Sequence, residues 1–259
     1  MDKHRLVILG TASAVPDATH ENTHMLIQGP NGAILIDCVG RPLVNLKQAN
    51  IRLNDLTDVI LTHFHPDHIS SFPSLIMSSW LTGRSTPMRI YGLHHCLERI
   101  EDLMAAFHWE EWPGLFPVAF HHLPEKEGIT VIDNDDFLIQ ASPVRHYVPT
   151  IGLRIQVKET GFVLAYSCDT VPCPETVRLA HNADVLIHEA TGDEPLGHAS
   201  AGQAGAIATE AGVKRLGLIH YHVWETNTAH LVVEAQKTFS GPVFLCEDFM
   251  EIELGQSRA

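Results

Sequence analysis

The sequence predicts an α/β (α+β) chain of two strand-rich halves, each closed by helices. Three observations predict it. Short apolar runs recur along the chain, bounded by Gly, Pro, Asn and Asp. Segments with helical apolar spacing follow the strands in both halves. No repeat, linker or low-complexity tract divides the 259 residues, which are expected to form a single domain, 1–259.

In the first half, Arg5 to Leu9 reads as a strand and Gly10 to Pro16 as a tight turn. Met25 to Gln28 and Ala33 to Ile36 read as a hairpin across Gly29-Pro30-Asn31-Gly32, and Asp37 ends it. Arg41 to Ala49 is expected to be helical, and Val59 to Leu61 a buried strand. Asp67 to Leu81 has helical spacing, with Ile69, Phe72, Leu75 and Ile76 on one side. Met88 to Tyr91 reads as a strand, and Cys96 to Phe107 as an amphipathic helix.

The second half begins with strands at Pro117 to His122, Thr130 to Ile132 and Phe137 to Arg145. Ile151 to Val157 and Val163 to Ser167 follow, joined by a turn at Glu159-Thr160-Gly161. A helix over Pro174 to His181 leads to a strand over Val185 to Ile187. Ser200 caps a helix that runs to Ala211 and stops at Gly212. Arg215 to Ile219 is a strand and Ala229 to Phe239 a helix, followed by strands at Val243 to Cys246 and Met250 to Leu254.

Composition narrows the function. The chain is 45% hydrophobic and 19% charged, with a formal charge of −14. So acidic a chain is a poor general binder of nucleic acid. It has no apolar stretch of about eighteen residues, so no membrane helix is expected. Met1-Asp2-Lys3-His4-Arg5 precedes only a short apolar run, which does not read as a secretory leader. Five scattered cysteines fit free thiols in a reducing, cytoplasmic compartment. Eighteen histidines are many for this length, and a metal site would account for the excess.

The chemistry concentrates at Val59-Ile-Leu-Thr-His63-Phe-His65-Pro-Asp67-His68. A strand ends at Thr62, and four metal-capable side chains follow within six residues. His63 and His65, two apart on an extended turn, can point at one ion. Asp67 and His68, at a helix start, can reach a second. Imidazole and carboxylate suit zinc, and also admit manganese or iron.

The pattern His-x-His-x-Asp-His after an apolar strand resembles the signature of the metallo-β-lactamase superfamily. The resemblance implies a four-layer αββα sandwich, with further ligands at strand ends. His146 ends a strand and is preferred to His121 and His122, which sit mid-segment before Pro124. Asp169 follows an apolar strand, where a carboxylate could bridge two ions. His220 is the first residue beyond its strand, with His222 as the competitor. The expected set is His63, His65 and His146 on one ion, Asp67, His68 and His220 on the other, and Asp169 shared. Two ions about 3.5–4 Å apart would activate a bridging hydroxide and clamp the attacking and leaving oxygens.

A finer resemblance follows from motifs in sequence order. Gly10-Thr11-Ala12-Ser13-Ala14-Val15-Pro16, Ile36-Asp37-Cys38, Tyr91-Gly92, Ser167-Cys168-Asp169-Thr170, His188-Glu189-Ala190-Thr191 and His198-Ala199-Ser200-Ala201 look like the ribonuclease Z branch, the tRNA 3′-end nucleases. The resemblance implies a phosphodiesterase in which Asp67 takes the water's proton, Glu189 orients His198, and His198 helps the leaving oxygen depart. It also implies a homodimer. Departures are plain. The family's tRNA-gripping arm has no counterpart in Val144 to Asp169, which two strands and a turn fill. Cys168 and Ser71 stand where the family prefers Gly. The expected substrate is therefore a small or short phosphodiester, with tRNA binding in doubt; the alternatives are a lactone, thioester or sulfate ester hydrolase, an authentic tRNA 3′-end nuclease, or a non-catalytic metal-binding protein.

Overall fold

The unbroken apolar runs become strands covered on both faces. In the computed structural model, which describes residues 4–192, 197–224 and 227–255, Leu6 and Ile8 join one core cluster with Leu153 and Ile155. Their neighbours Val7 and Leu9 join another, with Leu46, Phe72 and Ile76. A strand buried on one face would alternate apolar with polar; these do not. Met1, Asp2 and Lys3 lie outside the described residues.

In chain order the strands are β1 (Arg5–Gly10), β2 (His24–Gly29), β3 (Gly32–Ile36), β4 (Leu56–Ile60), β5 (Met88–Leu93), β6 (Val118–Leu123), β7 (Ile129–Asp133), β8 (Phe137–Val144), β9 (Thr150–Val157), β10 (Val163–Tyr166), β11 (Val185–Glu189), β12 (Leu216–Ile219), β13 (Val243–Leu245) and β14 (Glu251–Glu253). One seven-stranded sheet runs β14-β1-β2-β3-β4-β5-β6, the other β13-β12-β11-β10-β9-β8-β7. Helices α1 (Pro42–Gln48), α2 (Pro66–Ile69), α3 (Phe72–Leu81) and α4 (His94–Ala106) pack with the first sheet's outer cluster. Helices α5 (Pro174–Ala180), α6 (Ala201–Ala211) and α7 (Ala229–Ala235) pack with the second's. The inner cluster lies between the sheets, and each fully buried Leu or Ile in it is worth about 1.5–3 kcal/mol. The architecture is the αββα sandwich.

Most elements fall within a residue or two of expectation; β4 begins three residues before Val59, and one exception has a clear local cause. The single helix expected over Asp67 to Leu81 is two, α2 and α3. Pro73 cannot donate a helical hydrogen bond, and its ring would meet the carbonyl of Ile69. Ser71 N donates instead to Cys38 O at 3.0 Å. The strand before His146 ends at Val144, and α7 stops four residues short of Phe239. Ser200 makes a full capping box: its hydroxyl accepts from Gln203 N, and the Gln203 side chain accepts from Ser200 N. Such a cap is worth about 1 kcal/mol. Gly212, at φ 68°, takes the left-handed turn that ends α6.

Candidate metal centre

The first four side chains come from one turn. It leaves β4 and enters α2, so Asp67 and His68 ride the first turn of a helix while His63 and His65 precede it. Asp37 fixes this turn from below. Its buried carboxylate accepts from Thr62 N at 2.8 Å, from the Thr62 hydroxyl at 2.9 Å, and from His68 Nδ1–H at 2.7 Å. His68 therefore presents Nε2 to the centre. The Thr62 hydroxyl also lies 3.1 Å from His63 Nδ1, leaving Nε2 of His63 for the same duty.

The second sheet supplies its residues singly, each just after a strand. His146 follows β8, Asp169 follows β10 and His220 follows β12. His146 Nδ1 donates to Gly197 O at 2.7 Å. His220 Nδ1 lies 2.8 Å from the Thr191 hydroxyl, which donates to His220 O. Both imidazoles thus turn Nε2 inward.

The seven side chains meet in two adjoining groups. His65 Nδ1 lies 3.0 Å from His63 Nε2 and 3.1 Å from His146 Nε2. In the other group, Asp169 Oδ2 lies 3.4 Å from both His68 Nε2 and His220 Nε2; Asp67 Oδ2 lies 3.7 and 3.5 Å from them. Asp169 Oδ2 is also 4.0 Å from His63 Nε2 and 3.9 Å from His146 Nε2, so one carboxylate touches both groups.

These residues fit divalent ions. Nitrogens bound to one tetrahedral zinc at about 2.0–2.1 Å lie roughly 3.3 Å apart, close to the spacing of the three-histidine group. His68 Nε2, His220 Nε2 and Asp169 Oδ1 are buried with no hydrogen-bond partner among the described residues. Unpartnered buried polar atoms are costly, and a cation between them removes the cost. Electrostatics agree. Burial holds His63, His65 and His146 below the usual imidazole range, so they stay neutral donors. Burial opposes ionisation of Asp67, yet His220 and His68 keep its carboxyl down at about 2. Burial likewise opposes ionisation of Asp169, and His220 and His68 outweigh it. Burial disfavours a charged His68, but Asp169 and Asp37 overcome it and raise that imidazole well above its usual range. Two carboxylates around this site call for positive charge.

Beside the ligand groups stands a pair of a different kind. Glu189, at the end of β11 and fully buried, accepts His198 Nδ1–H on Oε1 at 3.0 Å. The same oxygen accepts from Thr170 N at 2.9 Å and Ala199 N at 3.2 Å, and Oε2 accepts from Thr191 N at 3.1 Å. A carboxylate so held cannot swing, so it locks the tautomer and plane of His198. That imidazole stacks on His220 with centroids 5.6 Å apart.

The competing histidines lie elsewhere. His121 stacks on Tyr91, and His122 pairs with His94 and Glu101 on the outer edge of β6. His222 is at the cleft rim, with Nδ1 3.2 Å from the Ser13 hydroxyl. Thr62, Thr191 and the Gly197 carbonyl, which orient the imidazoles, carried no signal beyond standing beside motif residues. A cleft of about 340 Å³ opens over the centre, floored by Asp67, Asp169, His198 and His220 and rimmed by Val15 and Tyr147.

Comparison with known proteins decides the family. A family model described as a beta-lactamase superfamily domain matches residues 33–221. Ribonuclease Z of a Mycobacterium species (strain KMS) is 31% identical over 83% of this chain and 83% of its own. The chain belongs to the β-lactamase superfamily, in its ribonuclease Z-like branch. Ribonuclease Z of Methanothermobacter thermautotrophicus is 28% identical over 96% of both proteins. Two solved structures share the fold. The metallo-beta-lactamase fold protein YhfI from Bacillus subtilis has a TM-score of 0.83, at 24% identity over 98% of this chain and 100% of that one. The short form of human tRNase Z has 0.79, at 24% identity over 97% and 100%. This ribonuclease Z-like chain is a metal-dependent hydrolase of a nuclease and phosphodiesterase family, for which divalent metal ions are implied. Among its described residues no helix is long and apolar enough to cross a membrane.

The Gly expected at position 168 would have a backbone reason. Cys168 sits at φ 53°, left-handed, where a side chain costs about 1–2 kcal/mol. Ser71, at φ −98°, needs no glycine and bonds its hydroxyl to Gly40 O at 2.9 Å.

Proposed function

We propose that the chain is a two-metal phosphodiesterase for small or short phosphodiesters, with zinc as the expected metal. His63, His65 and His146 would hold one ion, Asp67, His68 and His220 the other, and Asp169 both. Five imidazoles and two carboxylates suit zinc. The observation that carries the reading is the Glu189–His198 pair, because the proposed two-ion ligand set is complete without it.

When bound, the ions would lower the pKa of a water and neutralise charge on the phosphoryl oxygens. Asp67 borders the cleft with an ionised carboxylate, placed to accept a proton from the attacking water. Glu189 holds His198 through Nδ1, so Nε2 is the nitrogen that protonates the leaving oxygen, a contribution of about 10²–10⁴-fold. Orientation by a buried carboxylate makes that proton available without reorganisation.

Two features turn the reading away from tRNA. Between Val144 and Asp169 there are only β9, a turn and β10, with no projecting segment. The Methanothermobacter relative matches over 310 positions, more than the 259 residues here, so it carries insertions that this chain lacks. Phosphate contacts by Lys and Arg supply most non-specific nucleic-acid affinity, and this chain's charge is −14. Cleavage of a tRNA precursor at physiological salt should be poor beside an arm-bearing enzyme.

Elemental analysis with an ester panel tests the proposal. Two ions per chain and turnover of bis-(p-nitrophenyl) phosphate are expected. One ion or none after metal-replete purification, or turnover confined to lactones or sulfate esters, would sink it.

A further inference from the structure

Val15 and Tyr147, 53% and 54% exposed, form an apolar part of the cleft mouth, beside Ser13 and His222. Among the described residues no Lys or Arg lines it. Arg145, beside the ligand His146, is turned to Glu175 at 3.2 Å. A mouth made to hold a polyanion would present the opposite chemistry.

The Tyr147 ring packs closely on the Gly197 backbone. A Cβ at position 197 would lie 2.1 Å from its Cε2 and 2.4 Å from its Cζ, so the ring rests on bare backbone that only glycine permits. The Gly197 carbonyl also orients His146, which ties the ring's support to the ligand set. Tyr147 lies 6.0 Å from His198, centroid to centroid, with the planes at 69°. An aromatic ring backed by Gly197 and half open to solvent beside the proposed reacting groups is a stacking surface. The cleft's volume is at the small end of ligand sites, enough for one such ring and a phosphate.

We infer that Tyr147, with Val15 at the same mouth, is the recognition platform for one planar ring that the substrate carries next to its scissile phosphate, a nucleobase or an aryl group. The inference rests on the phosphodiesterase reading and names that enzyme's substrate class. Tyr147 is a specificity residue; it takes no part in proton transfer.

Binding tests it apart from turnover. Adenosine 5′-monophosphate, phenyl phosphate and ribose 5-phosphate are titrated into the metal-loaded full chain. At least one ring-bearing ligand should bind about 5- to 150-fold more tightly than ribose 5-phosphate, the worth of one stacked ring. A gain for adenosine monophosphate alone assigns a nucleobase; a gain for phenyl phosphate assigns any aryl ring. Tyr147→Phe should keep the preference. Tyr147→Ala and Tyr147→Leu should abolish it while ribose 5-phosphate binds as before; the Leu variant keeps bulk on Gly197 should the Ala variant misfold. Equal binding of all three ligands by the wild type, or a preference that survives Tyr147→Leu, overturns the platform. A ring preference without any phosphodiester turnover upholds the platform and rejects the reaction.

Discussion

At the first sheet, four of the proposed ligands stand on one turn between β4 and α2; at the second, His146, Asp169 and His220 arrive separately from the ends of β8, β10 and β12. The first arrangement is local: ten consecutive residues and the Asp37 carboxylate determine it. The second depends on strand register, because shifting one strand by a residue would turn its terminal side chain away. Half of the centre is thus a motif and half is a product of the whole sandwich. Asp169 is where the halves join, since it approaches both groups.

The largest expected effect follows from that junction. Asp169→Ala should strip both ions and abolish turnover, as read by elemental analysis and a phosphodiester assay. Retention of one full ion would break the picture of a shared carboxylate. Next comes His198→Ala, which should cost about 10²–10⁴-fold with a poor leaving group while metal content holds. The loss should shrink with p-nitrophenolate, which departs unaided, and Glu189→Gln should show the same trend more weakly. A metal ion lost from His198→Ala would move that residue into the ligand set.

A smaller effect separates the two halves. Asp37→Asn acts directly on His68 and on His63 only through Thr62, so a loss of about 10- to 100-fold in affinity should fall mainly on the ion at His68. Competition with a chelator, followed ion by ion, would show whether the loss is so confined.

Acid should loosen both sheets. Burial holds His24 in β2 and His188 in β11 below their ordinary value of 6.5. As pH falls, the unfolded chain takes up these protons first. The stability they allow is therefore present above about pH 6.5 and is lost on acidification. His24→Gln should flatten part of the fall in Tm below that pH; an unchanged profile would assign the acid sensitivity elsewhere. Smallest of all, Cys168→Gly should relieve the left-handed strain and shift stability by about 1 kcal/mol or less, because lost packing at the thiol offsets part of the gain. A large destabilisation in a denaturant melt would show that the thiol's packing dominates.

Legibility followed the same division. The turn from His63 to His68 was readable because its spacing is local, and so were Ser200 and Gly212 at the ends of α6. His220 could be preferred to His222 only by position; in the structure His220 is at φ 53° and His222 lies beside Ser13. The break at Pro73 was a local signal that helical spacing masked. Thr62, Thr191 and Gly197 were not readable as residues that orient the imidazoles, because they do so across the fold, through side chains distant in sequence or a backbone carbonyl.

The pairing of β14 with β1 sets an order of assembly. Arg5 faces Glu253 across this ladder, and Asp248 accepts hydrogen bonds from Thr11 and Glu21 near the opening turn. Every strand of the second sheet is synthesised before β14 exists. On the ribosome the second sheet can pair its own strands early, while the edge beside β1 waits for the last segment. Until then β1 exposes an open ladder, the form in which a sheet most readily recruits a stranger. Shortening the chain before Glu251 should therefore show first as aggregation of newly made protein, ahead of any change at the metal centre.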